Sequence, residues 1–120
     1  MRDEAMTHDL DHLRELWRLA ALAYNEADDD ASRREEGKRI LLDSMVLELC
    51  DADEKMSAAK AERLARTSTK FRTYLATMHA ARRKAQDLRV EATDADKRYY
   101  ACVNEEANER SERRLTSMSR

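Results

Sequence analysis

The chain has 120 residues, of which 40% are charged and 5% aromatic, with one glycine and no proline. Such a composition belongs to long helices and coiled coils, and it excludes a sheet protein and a large globular core within a single copy. The net charge of −2 conceals a polarised sequence: residues 1–59 carry eight basic and sixteen acidic side chains, whereas 60–90 carry nine basic and two acidic.

Residues 1–8 are polar, and a frayed N-terminus is expected there. Charged residues punctuate the first twenty positions, so no signal peptide is expected, and no run approaches the roughly 18–20 apolar residues of a membrane span. The expected location is the cytoplasm, with no membrane partner. From Asp9 to Ala27 the positions Leu10, Leu13, Trp17, Ala20, Tyr24 and Ala27 recur at steps of three or four, the mark of an amphipathic helix. On this face Trp17 is expected as a core or interface anchor. Asp28 to Gly37 (DDDASRREEG) reads as a flexible acidic linker. It lacks the spaced oxygen ligands and distant glutamate of a calcium loop, so no metal is expected.

Helix resumes near Lys38, with a stripe of Leu42, Met45, Leu49, Ala52, Met56 and Ala59. ILLDSMVLELC, from Ile40 to Cys50, is the most hydrophobic window and should lie deepest. After a one-residue skip, Leu64, Phe71, Met78, Ala85, Ala92 and Tyr99 repeat every seven residues. Tyr74, Ala81, Leu88, Ala95 and Cys102 follow the same period, offset by three. Together these are the a and d positions of a helix that packs lengthwise on another. One long helical segment is expected over 38–114, with 60–69 or 93–96 as the places for a break, and a polar tail over 115–120. The expected fold class is therefore all-α: an N-terminal amphipathic helix plus long helices forming a coiled-coil-like, oligomeric bundle. Its core and oligomerisation residues are Trp17, Leu49, Leu64, Phe71, Tyr74, Met78, Leu88 and Tyr99. Cys50 and Cys102 form no CxxC pair, and on apolar stripes they read as buried free thiols.

Little in the sequence resembles a catalytic or metal site. His8 and His12 have a spacing that could share a metal, yet no further ligands are specified, and they read as surface histidines. Glu48-x-x-Asp51 and Glu105/Glu106 with Glu109 have the local spacing of helix-borne Mg²⁺ carboxylates, but solvated helix faces explain them in a chain with 25 acids. There is no glycine-rich phosphate loop. Neither enzymatic activity nor a cofactor is expected.

The basic stretch is different, because its imbalance of sign is regional. Lys60, Arg63, Arg66, Lys70, Arg72, Arg82, Arg83, Lys84 and Arg89 form a candidate nucleic-acid-binding set, interleaved with the hydroxyls of Thr67, Ser68, Thr69, Thr73 and Thr77. Neutralising a phosphate backbone would be indifferent to sequence and sensitive to salt. The competing expectation is that these bases pair with the acidic N-terminal half, within or between chains.

The residues Ala61-Glu62-Arg63, Ala65, Ser68, Tyr74-Leu75, Met78, Ala81-Arg82, Ala85, Arg89-Val90, Tyr99, Glu106-Ala107, Arg110 and Glu112-Arg113 give the second half of the chain a family likeness. It resembles small helical proteins of bacteriophage recombination and replication cassettes, some of them grouped with the UvsY-type recombination mediators. The resemblance implies a non-enzymatic accessory protein that forms a homo-oligomer and binds single-stranded DNA through Lys60 to Arg89. It also implies a recombinase or a single-strand-binding protein as a partner. The alternative is a structural or adaptor coiled coil that binds a protein and no nucleic acid.

Overall fold

A computed structural model describes the backbone of residues 2–118 and the side chains of residues 9–118. Those residues form three helices and no strand: α1 (Arg2–Ala52), α2 (Ala58–Thr67) and α3 (Thr69–Met118). The all-α expectation is met. No described helix is long and apolar enough to cross a membrane. The chain divides into two compact units, a hairpin unit of residues 25–86 and a terminal unit of residues 1–24 and 87–120.

In the hairpin unit, α1 ends at a turn over residues 53–57. The Asp53 carboxylate accepts a hydrogen bond from the Lys55 amide at 3.0 Å, and the Met56 amide donates to the Asp53 carbonyl at 3.1 Å. Ser57 then caps α2, its hydroxyl accepting from the Lys60 amide at 3.2 Å. Ser68 separates α2 from α3 by serving both ends. Its hydroxyl donates to the Ala65 carbonyl at 2.7 Å and accepts from the Phe71 amide at 3.2 Å. The core beneath this turn joins Leu42 and Met45 of α1, Ala65 of α2 and Phe71 of α3, with Leu41, Val46, Leu49 and Leu75 packed against it. Ala31, Ala61 and Ala65 have no exposed surface, so the smallest side chains lie where the helices approach most closely.

Several boundaries differ from the sequence reading. Residues 28–37 are not a linker but the middle of α1. Three aspartates and a glycine lower helix propensity by under a kilocalorie or so each, and partners answer this: Asp30 pairs with Arg34 one turn on, at 3.1 Å. Helix also begins at Arg2 rather than near Asp9 and continues to Met118 through 93–96 and most of the supposed tail. The segment 38–114 is therefore interrupted twice, at 53–57 and at Ser68, the second inside the 60–69 stretch.

Burial sorts the seam residues. Phe71 and Met78 are buried, whereas Leu49 and Tyr74 are half-buried. Leu64 is 43% exposed and does not belong to the core. Because α2 is a separate helix, Ala61 and Ala65 form its inward stripe, and Leu64 sits about 100° around from Ala65. The hydrophobic window is likewise split, with Leu42 and Met45 inside while Ile40 and Leu47 are 72% and 64% exposed.

The terminal unit is simpler. Trp17 of α1 stacks on Tyr99 of α3 with ring centroids 5.6 Å apart and planes 15° from parallel, and Tyr100 meets Tyr99 edge-on. Trp17, Leu88, Tyr99 and Cys102 are all half-buried. Cys50 and Cys102 are free, half-buried rather than enclosed, and burial followed by the nearby Glu105 and Glu106 pushes the Cys102 thiol pKa up. The His8 side chain, and with it the His8/His12 spacing, lies outside the described residues.

Candidate nucleic-acid interface

Between Arg63 and Gln86 the sequence has seven lysines and arginines and no carboxylate. The start of α3 displays part of this set on its outer side. Arg72, His79 and Arg83 follow one another at seven and four residues, which keeps them within an arc of about 40° on a helix. The rise places Arg72 and Arg83 roughly 16 Å apart along the axis. Lys70 and Lys84 share a second row about 100–160° further around α3, and Lys60 and Arg63 lie on α2; all are exposed. None of these six lysines and arginines has a salt-bridge partner among the described residues. Arg89, also exposed, belongs to the terminal unit.

Two members of the predicted set are engaged. Arg66 pairs with Glu62 at 2.8 Å on the surface of α2. Arg82 is withdrawn from the basic face altogether. Position e of the heptad turns it toward α1, where one guanidinium nitrogen donates to Asp28 at 2.6 Å and another to the Ser32 hydroxyl at 3.3 Å. The Nε and the same Nη2 that reaches Ser32 grip the two oxygens of the Glu35 carboxylate, giving a bidentate pair. With 30% of its side chain exposed, Arg82 is a clasp between α1 and α3 rather than an open phosphate contact.

Sequence reasoning missed the other half of this clasp. Asp28, Ser32 and Glu35 recur at steps of four and three, so they share one helical face, a signal hidden once 28–37 was read as a linker. It also missed the neighbouring contact, in which the Tyr74 hydroxyl donates to the Arg34 carbonyl at 2.6 Å. The hydroxyls interleaved with the bases are only partly available. Thr67 donates back to Arg63 and Thr77 to Thr73, Ser68 acts as the double cap, and Thr69 and Thr73 are exposed. Folding also offsets the polarity of the sequence: the hairpin unit holds thirteen lysines and arginines against twelve acids. The segregation survives only by face, with most acids on α1 and most bases on α2 and α3.

The clasp makes stability depend on pH. Its hydrogen bond to Arg82 holds the Glu35 carboxyl below its ordinary value of 4.5. A group whose folded pKa is depressed contributes stability that is present above the unfolded value and lost as pH falls through the folded one. Urea midpoints should therefore fall through the acid range, and Glu35→Gln should flatten part of that slope. Identical slopes for the two proteins would mean that the clasp carries none of the acid sensitivity.

Among the described residues no group of three or more His, Cys, Asp or Glu side chains is placed to hold a metal ion. No protein-family model, curated protein or solved structure matches the chain.

Proposed function

We propose that the protein is a non-catalytic, single-stranded DNA-binding accessory of recombination or replication. Its contact surface is the basic face of α2 and the start of α3. The observation that carries this reading is an acid-free set of bases, with Arg72 and Arg83 in one row of α3, Lys70 and Lys84 in a second, and Lys60 and Arg63 on α2, all exposed and without carboxylate partners. Phosphates neutralised by such a set need no base-stacking platform, and Phe71 and Tyr74 supply none, being buried and half-buried. The resemblance to recombination mediators supports the same reading and suggests a recombinase or a single-strand-binding protein as the protein partner.

The test is an oligonucleotide titration at several salt concentrations. Replacing Arg72, Arg83 and Lys84 with alanine together should reduce the log–log salt slope by about 2, at roughly 0.7 per phosphate on a single strand, with helicity unchanged. Arg82→Ala should instead lower the melting temperature more than Arg83→Ala does. A wild-type protein that fails to shift the oligonucleotide even at low salt would remove DNA from the account. The near-balance of charge in the hairpin unit favours the second reading, an adaptor. Ile40 and Leu47, seven residues apart on the outside of α1, would then be its protein contact.

A further inference from the structure

We infer that the terminal unit is half of a four-helix bundle, completed by a second copy of this chain. Every buried apolar side chain among the described residues, from Ala31 to Ala85, belongs to the hairpin unit. The terminal unit has none, although it contains Leu10, Leu13, Trp17 and Tyr99. Two helices alone cannot enclose a core, because each has solvent over most of its circumference.

The same unit carries both halves of a joint. Leu16, Leu19 and Leu22 form a ridge along α1, 42%, 50% and 49% exposed, stepping about 60° around the helix at each interval of three. Beside the ridge runs a groove of about 310 Å³, with Leu13, Leu16, Ala20 and Ala95 as its apolar lining and Glu91, Asp94 and Arg98 along its α3 side. With ridge and groove adjacent on one surface, two copies can each seat a ridge in the other's groove about a two-fold axis, which closes the assembly.

Charge selects this occupant. Going up α1, the ridge is bordered by Glu15 and then Arg18; going down α3, the groove is bordered by Arg98 and then Asp94. An antiparallel approach of α1 to the second copy's α3 brings Glu15 to Arg98 and Arg18 to Asp94, opposite signs at both points. The existing Glu15–Arg18 bond is an exposed pair three residues apart, 59% and 53% open on its two sides, and is readily exchanged.

Sedimentation equilibrium of the full chain over a concentration series tests the joint. The wild type should be a dimer, and Leu19→Glu should raise its dissociation constant at least about tenfold while far-ultraviolet helicity is kept. Ile40→Glu, a comparable change in the hairpin unit, should leave the constant unchanged. Glu15→Arg should weaken the dimer, and adding Arg98→Glu should restore it, which keeps the test decisive if Leu19→Glu fails to fold. A monomer at every concentration would overturn the inference. So would a dimer sensitive to Ile40→Glu but not to Leu19→Glu, or a charge reversal without rescue. None of these readouts involves DNA, so the outcome is independent of the proposed nucleic-acid role.

Discussion

Phe71→Ala is expected to destabilise the protein by about 3–5 kcal/mol, the usual range for removing a buried phenylalanine. Phe71 is 2% exposed and is the one large side chain fully buried among the described residues. It sits in the first turn of α3, directly after the Ser68 junction, against Leu42 and Met45 of α1 and Ala65 of α2. The three helices of the hairpin unit therefore converge on one ring. Its surroundings collapse poorly when it is removed. The Phe71 amide is fixed by Ser68, and Ala65 has no side-chain length with which to fill the space. Leu64→Ala, at an exposed position of the same nominal heptad series, should cost well under 1 kcal/mol. Urea unfolding followed by helicity measures both. Similar losses at the two sites would mean that the heptad seam continues through α2 and that Ser68 is not a true junction.

The contrast between Phe71 and Leu64 shows which parts of the fold are legible in the sequence. Heptad spacing reports burial wherever a helix is continuous, which is why Phe71, Met78 and Ala85 are buried as their period requires. It fails across an interruption made without glycine or proline. The turn over 53–57 and the break at Ser68 rest on aspartate and serine side chains that satisfy backbone groups locally, and this chemistry leaves little trace in hydrophobic periodicity. The supposed linker fails for the opposite reason. Asp28 and Glu35 are poor evidence of a loop once Arg82 lies opposite, because a long-range partner outweighs local propensity. The basic set was legible as a composition and less so as a surface. Counting charge places Arg82 and Arg83 together, although one residue of helix separates a clasp from an exposed arginine.

Gly37→Ala is expected to change sign with the residue at position 74. Gly37 lies within α1, and no described residue has a positive φ, so backbone freedom does not explain the glycine. Proximity does: a Cβ at Gly37 would lie 2.6 Å from the Tyr74 hydroxyl oxygen and 3.8 Å from the ring carbon that bears it. The hydroxyl cannot retreat without lengthening its 2.6 Å hydrogen bond to the Arg34 carbonyl. In the wild-type background, overpacking of about 1–3 kcal/mol should exceed the gain of about 1 kcal/mol in helix propensity. Gly37→Ala should then destabilise by roughly 1 kcal/mol. Tyr74→Phe alone should cost about 0.5–1.5 kcal/mol through the lost hydrogen bond. With the hydroxyl gone, the new methyl meets only the ring carbon at an ordinary distance. Gly37→Ala in the Tyr74→Phe background should therefore stabilise by up to about 1 kcal/mol. The resulting coupling of about 2 kcal/mol, read from a double-mutant cycle in urea, is within the range expected of side chains in direct contact. Strict additivity would show that the two helices do not approach each other at Gly37, and the register that aligns Arg82 with Asp28 and Glu35 would have to be redrawn.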